Sequence, residues 1–158
     1  MLPTTRFGLM IALFLCLDAA ATLRAESDDA QIRALTSDFC SAVVSGDLSV
    51  LDRVFDSSPT NVYYDINEGP LFGLERLKRV WSAATRNGRL KGFAFGDDLR
   101  IDLHGDQALE TGTWTQTQAQ SDGSTREIHG RATILWRKTA DGWRVFHYHA
   151  SITPRRSR

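Results

Sequence analysis

The chain has 158 residues, and its 19 lysines and arginines balance 19 aspartates and glutamates, so its formal charge at pH 7 is zero. This size is typical of one globular domain with a real core. The balanced charge lacks the basic face that nucleic-acid binding requires, so no nucleic-acid partner is expected.

The first 21 residues have the order of a signal peptide. Arg6 supplies a positive charge, residues 7–17 form an apolar run, and Ala19 to Ala21 offer the small residues that a signal peptidase accepts. The apolar run is too short to span a bilayer. We therefore expect a signal peptide at 1–21, one domain at 22–153 and a basic tail at 154–158, in a periplasmic or secreted protein without a membrane contact.

Three segments of the mature chain have the apolar spacing of helices. The first begins near Asp28 and ends at Gly46, and it contains Cys40, the one cysteine left after cleavage. No internal disulfide is therefore expected, and the apolar helical pattern favours a small buried residue over a reactive thiol. A second, shorter helix follows Asp47. The third covers about residues 73–87, after a strand predicted at 61–66.

After the third helix the apolar period changes to two, which is typical of strands. Strands are predicted at 99–104 and 107–118, and again at 127–138 and 143–152 on either side of Asp141-Gly142, a pair typical of tight hairpins. This order predicts an α+β fold. Three helices would pack on one face of a curved, cone-shaped antiparallel sheet.

The last strand carries the main candidates for a site. With regular alternation, one face would hold Trp143, Val145, His147, His149 and Ser151. We expect this face to point into the cone, with His149 contacting a ligand at the mouth and His147 more deeply buried. The imidazoles are open to three interpretations: a general acid and base, metal ligands, or core histidines with satisfied nitrogens. No third metal ligand is evident, so no metal or cofactor is predicted.

The opposite face of the same strand predicts a homodimer. Phe146, Tyr148 and Ile152 would leave more apolar surface on the outside of the sheet than a solvated face needs.

The final hairpin resembles a known family. Its segments 131–136, 141–143 and 147–151, which read Arg-Ala-Thr-Ile-Leu-Trp, Asp-Gly-Trp and His-Tyr-His-Ala-Ser, are similar to the C-terminal hairpin of SnoaL-like domains in the nuclear transport factor 2-like superfamily. The likeness is strongest to the association domain of calcium/calmodulin-dependent protein kinase II and its bacterial relatives. This resemblance implies the same cone, a cystatin-like fold, over essentially the whole mature chain.

Enzymes and non-enzymes share that fold, so the fold alone does not define the function. Matching the hairpin to the kinase association domain puts Trp114 and Ile134 where that domain has pocket arginines, which favours a flat or apolar ligand. Asp65 lies one residue from the position of the catalytic aspartate of ketosteroid isomerases. If it faces inward, it would orient a histidine or abstract a proton itself.

Three functions follow from these patterns. The favoured hypothesis is a domain that binds a small, largely apolar molecule. The second is an isomerase, dehydratase or cyclase in which His147 or His149 moves a proton together with Asp65. The third is an assembly hub, against which the missing arginines count. Other candidate ligand contacts are Tyr64, Phe72, Trp81, Arg131 and Ser151, although aromatic residues at such spacings are core residues more often than ligand platforms.

Overall fold

The computed structural model describes residues 28–66, 68–86 and 89–154. The helical segments are α1 (28–45), a 3-10 turn (Leu48–Val50) that continues into α2 (Leu51–Val54), and α3 (Leu74–Thr85). The strands are β1 (Val62–Tyr64), β2 (Leu71–Phe72), β3 (Leu90–Phe95), β4 (Arg100–His104), β5 (Gln107–Ala119), β6 (Thr125–Thr139) and β7 (Gly142–Ile152). The predicted signal peptide and residues 155–158 of the basic tail lie outside the described residues.

All seven strands belong to one sheet with the order β2-β1-β7-β6-β5-β3, and β4 pairs with the first part of β5. The sheet is curled but not closed, and with the three helices it confirms the predicted α+β fold. One pairing differs from the expectation, because β1 runs parallel to β7 and makes the sheet mixed. Parallel neighbours need a long crossover connection, which α3 and the intervening strands provide.

The helices cover one face of the sheet, which we call the inner face; the opposite face is the outer face. Phe39 and Val43 of α1 and Leu77 and Trp81 of α3 are buried at helical spacing, as predicted. The rings of Phe39 and Trp81 lie 5.0 Å apart, and they lie 5.8 Å and 5.9 Å from the ring of Tyr148 on β7. An aromatic cluster therefore joins both helices to the centre of the sheet.

The residues predicted to end helices and form turns lie at those positions in the structure. Gly46 follows α1 with a φ of 79°, and the Asp47 side chain accepts a hydrogen bond from the backbone N–H of Ser49 at the start of the 3-10 turn. Gly142 has a φ of 101° in the β6–β7 hairpin. These positive angles favour glycine, because a side chain there is strained.

Two strands were not predicted from the sequence, β2 and β3. The β3 segment contains Gly92, and its pairing with β5 shifts register between Leu90 and Gly92, so it lacks a clear alternation. Its strand conformation depends on pairing with the second half of β5, which is a non-local contact. The pattern within β3 alone therefore did not reveal it.

A β-bulge in β7 changes which side chains face inward. Leu135 pairs with His147, whereas the next residue of β6, Trp136, pairs with Val145, so Phe146 is an extra residue. Trp143 and Val145 are buried before the bulge, and Tyr148 and Ala150 are buried after it. The prediction that Trp143, Val145, His147, His149 and Ser151 share one face is therefore wrong, because the inserted residue reverses the alternation.

Candidate functional site

A cleft of about 310 Å³ lies between α1 and the β3–β4 region. Its strand side is lined by Phe93, Ala94, Phe95 and Leu99. Its helix side is lined by Arg33, Thr36, Ser37, Cys40 and Ser41. The helical period brings these α1 residues to one side of the helix, facing the strands. The cleft thus combines an apolar wall with a wall of small polar groups.

Directly behind the helix wall lies a buried carboxyl group, Glu110 of β5, with no solvent exposure. The hydroxyl oxygen of Thr36 is 3.0 Å from each Glu110 carboxylate oxygen, and the indole N–H of Trp136 donates to Oε2 at 2.6 Å. Burial raises the pKa of Glu110 to about 7, and the hydrogen bonds from Thr36 and Trp136 oppose this rise. Glu110 therefore gains or loses its proton near neutral pH.

Cys40 lines the cleft, yet its thiol is not a nucleophile at neutral pH. Burial, together with the negative charge of Glu110, raises the pKa of Cys40 to about 12. The side chain is 8 % exposed. This agrees with the expectation of a small buried residue.

Asp65, just after β1, forms a second polar group on the inner side. Burial raises its pKa, while hydrogen bonding to the Ile66 backbone and to the Trp81 side chain opposes the rise. Burial also raises the pKa of Tyr148, and the charges of Asp65 and Cys40 add to that effect. The Asp65 carboxyl group therefore lies close enough to the Tyr148 hydroxyl group to raise the pKa of Tyr148.

Three of the predicted ligand contacts are buried between the helices and the inner face of the sheet, and none of the three lines the cleft. Trp81, Trp114 and Ile134 are 5 %, 3 % and 1 % exposed. Trp114 packs closely over Gly130, where an added Cβ would lie 2.1 Å from the indole ring. The indole nitrogen of Trp114 is buried without a hydrogen-bond partner among the described residues.

Apart from Asp65, the other predicted site residues lie on the outer face. Tyr64 and Phe72 are exposed, Thr133 pairs with His149, and Arg131 pairs with Ser151. The Tyr64 ring lies 6.2 Å from the ring of His147 and 5.7 Å from that of His149.

The two histidines have different surroundings on that face. His147 Nδ1 lies 2.8 Å from the carbonyl oxygen of Val62, and His149 is exposed. The sheet separates both imidazoles from Asp65, so the structure does not bring the predicted proton-transfer pair together. The catalytic role of these three residues stays a prediction.

Sequence reasoning missed Glu110. A signal was present, because Glu110 alternates in phase with Ala108 and Trp114, which places a single carboxyl group on the apolar side of β5. Thr36 carried a similar signal, since it lies four residues from both Ile32 and Cys40 on the apolar stripe of α1.

The family model of the SnoaL-like domain matches residues 32–155. The chain belongs to the SnoaL-like domain family. No curated protein matches the chain.

Similar solved structures include an NTF2-like protein with a cystatin-like fold from Novosphingobium aromaticivorans, at 17 % identity and a TM-score of 0.75, covering 89 % of this chain and 92 % of that one. A proposed NTF2-like dehydratase from Streptomyces avermitilis is 20 % identical with a TM-score of 0.69, covering 82 % and 99 %. The S. rosetta CaMKII hub is 21 % identical with a TM-score of 0.63, covering 80 % and 95 %. At these identities, the likeness establishes the SnoaL-like domain's fold.

Within residues 28–66, 68–86 and 89–154, the SnoaL-like domain has no group of three or more histidine, cysteine, aspartate or glutamate side chains placed to hold a metal ion. None of the helices in the same ranges is long and apolar enough to cross a bilayer.

Proposed function

We propose that this SnoaL-like domain binds a small, largely apolar molecule in the cleft between α1 and β3. The observation that carries the proposal is the cleft itself, whose volume of about 310 Å³ matches small ligand sites. Phe93, Phe95 and Leu99 supply apolar contact, and the α1 hydroxyl groups supply a few directional hydrogen bonds.

The charge at the cleft supports a neutral ligand. Arg33 is the one lysine or arginine among the lining residues, and its Nε lies 2.7 Å from Asp29 Oδ1. The guanidinium group already has a carboxylate partner, which reduces its attraction for an anionic ligand. A neutral, largely apolar ligand therefore suits the cleft better than a carboxylate does.

Native mass spectrometry of protein purified from its natural host tests the proposal. The wild-type protein is expected to carry a small molecule, and Ser37→Trp is expected to lose it, because Ser37 is exposed in the cleft. Ala34→Trp is the matched control, since Ala34 is exposed on α1 but does not line the cleft. A molecule retained by Ser37→Trp would place binding elsewhere.

A second candidate function is proton transfer at Asp65. The supporting observation is the raised pKa of Asp65 beside Trp81, with Tyr148 near enough to respond to its charge. Ionised Asp65 would remove a proton next to a carbonyl group, and the Tyr148 hydroxyl would donate to the oxyanion that develops. The similar fold of the proposed dehydratase is consistent with this chemistry.

Deuterium incorporation into the methyl group of acetophenone tests this second function. The rate is expected to rise with pH through the pKa of Asp65, because the base acts in its ionised form. Asp65→Asn should abolish it. Glu75→Gln, which removes an exposed carboxyl group near Lys78, should not. Equal rates in wild type and Asp65→Asn would exclude Asp65 as the base.

We also propose a homodimer through the outer face. Tyr148 and Ile152 no longer support this interface, because the bulge turns both side chains to the inner side of the sheet. Tyr64 and Phe72 are 40 % and 60 % exposed on the outer face. The fold likeness to a hub domain is consistent with self-association. Light scattering should show a dimer that Phe72→Asp dissociates, whereas Ala34→Asp, on the exposed side of α1 and away from the outer face, should leave the dimer intact.

Export with cleavage near Ala21 completes the proposal. The intact mass of the protein recovered from the host should correspond to a chain that begins at residue 22. A mass that includes residues 1–17 would contradict export by this route.

A further inference from the structure

Thr36 connects the cleft to the buried carboxyl group of Glu110. It lines the cleft, and its hydroxyl oxygen lies 3.0 Å from Glu110 Oε1, from Glu110 Oε2 and from the carbonyl oxygen of Ile32. A hydroxyl group has one hydrogen to donate. Three acceptors therefore compete for it, and the protonation state of Glu110 decides the outcome.

When Glu110 is ionised, its oxygens only accept hydrogen bonds, so Thr36 and Trp136 both donate to the carboxylate. When Glu110 is protonated, Oε2 still accepts from Trp136, and the carboxyl O–H donates to Thr36. The hydrogen of Thr36 is then released toward the Ile32 carbonyl or toward a ligand in the cleft. Proton uptake by Glu110 thus changes Thr36 from a donor to the carboxylate into an acceptor from the carboxyl group, which leaves the Thr36 hydrogen available to a ligand.

The groups around Glu110 place this change near neutral pH. On α1, the positive charge of Arg33 favours the ionised form of Glu110, and the negative charge of Asp29 opposes it. The neutral Cys40 thiol is nearby. Ile101 of β4 and Ile134 of β6 flank Glu110 in the sheet and do not titrate, nor does Trp136. Burial is the main cause that raises the Glu110 pKa to about 7.

We infer that Glu110 is a positioning residue that acts through Thr36 and makes the cleft select neutral ligands with a hydrogen-bond acceptor, such as a carbonyl oxygen, when Glu110 is protonated. This inference rests on the proposed ligand binding in the cleft. Beyond that proposal, it specifies that the ligand carries a hydrogen-bond acceptor and that ligand binding is coupled to proton uptake by Glu110. Glu110 does not line the cleft, so the selection passes through the Thr36 hydroxyl.

Two probes of similar shape test the inference by calorimetry: acetophenone, which has a carbonyl acceptor, and ethylbenzene, which has none. Neither probe ionises. We expect the acetophenone affinity to be about fivefold higher at about pH 5.5 than at about pH 8.5, the worth of one hydrogen bond. The ethylbenzene affinity should stay constant, since its contacts do not involve the Thr36 hydrogen.

Variants separate positioning from packing. Glu110→Gln has an amide that donates to Thr36 and a carbonyl that accepts from Trp136, so it should bind acetophenone equally at both pH values with the affinity of acidic wild type. Thr36→Val should also remove the pH dependence, but at the lower affinity. If Glu110→Gln does not fold, Thr36→Val still decides the question.

The outcomes that overturn the inference differ from those that overturn the proposed function. A ratio of acetophenone to ethylbenzene affinity that is the same at both pH values in wild type overturns the inference alone. So does a pH dependence that persists in Glu110→Gln or Thr36→Val. Failure of both probes to bind overturns ligand binding in the cleft, and the inference with it.

Discussion

The two faces of the sheet carry different kinds of polar groups. On the inner face, Glu110 is fully buried and has two hydrogen-bond donors, Thr36 and Trp136. On the outer face, His147 contacts one backbone carbonyl oxygen and His149 is exposed. The residue types alone favour the histidines as chemical groups, because imidazole titrates near neutral pH. Burial raises the pKa of Glu110 to about 7, so a buried carboxyl group that residue type alone would not single out also becomes a candidate.

The bulge at Phe146 creates this difference within a single strand. Before it, Trp143 and Val145 face the helices; after it, Tyr148 and Ala150 do so. An uninterrupted strand would have placed both histidines inside the cone. Because of the bulge, Tyr148 lies in the core, and His147 and His149 lie on the outer face.

Trp136→Ala on the inner face should cause the largest loss of stability. This change creates a cavity and removes a donor from a buried carboxyl group, so the free energy of unfolding should fall by about 3–5 kcal/mol in urea titrations. The control is Thr133→Ala on the exposed face of the same strand, which should stay within about 0.5 kcal/mol of wild type. A small effect of Trp136→Ala would mean that the inner cluster contributes little to stability.

Glu110→Gln should have an intermediate effect on the free energy of unfolding, and this effect should depend on pH. The pKa of Glu110 rises from 4.5 to about 7 on folding, so the folded protein holds a proton that the unfolded chain has lost. The stability that this proton provides is complete below pH 4.5 and is lost as pH rises through about 7. Between these limits, wild type should lose about 3 kcal/mol of unfolding free energy relative to Glu110→Gln.

Urea titrations at several pH values measure this difference. Glu127→Gln on the outer face is the control, because the Glu127 carboxylate is exposed. Its contact with His129 Nε2, at 3.8 Å, is an exposed ion pair and contributes little to stability. Parallel pH profiles for wild type and Glu110→Gln would show that the buried carboxyl group keeps its ordinary acidity.

The smallest effects should come from the two histidines. His147→Ala removes the contact with the Val62 carbonyl oxygen and should cost about 1 kcal/mol, whereas His149→Ala should stay within about 0.5 kcal/mol. Thermal melts measure both variants. Neither change should alter affinity for a ligand in the cleft, since both side chains lie on the outer face. Weaker binding by His149→Ala would instead support the sequence-based prediction that His149 contacts the ligand.

Much of the fold was predictable from local patterns, and the site was much less so. The apolar stripes of α1 and α3, the turn at Gly142 and the placement of the third helix between the first strand and the later antiparallel strands all appear in the sequence, and the structure has each of them. The inward placement of Trp114 and Ile134 was also predicted. In contrast, Glu110 was overlooked, because a glutamate within a threonine-rich strand resembles a solvated residue until α1 is packed over it.

The sequence by itself determined the helical periods, the hairpin turn and the family, since helix stripes and turn conformations depend on residues close together in the chain. Tertiary structure decided the parallel pairing of β1 with β7, the strand β3, the bulge at Phe146 and the burial of Glu110. These features depend on contacts between residues far apart in sequence. A single inserted residue reverses every side chain beyond it, and a carboxyl group acquires a raised pKa only when another element excludes water from it.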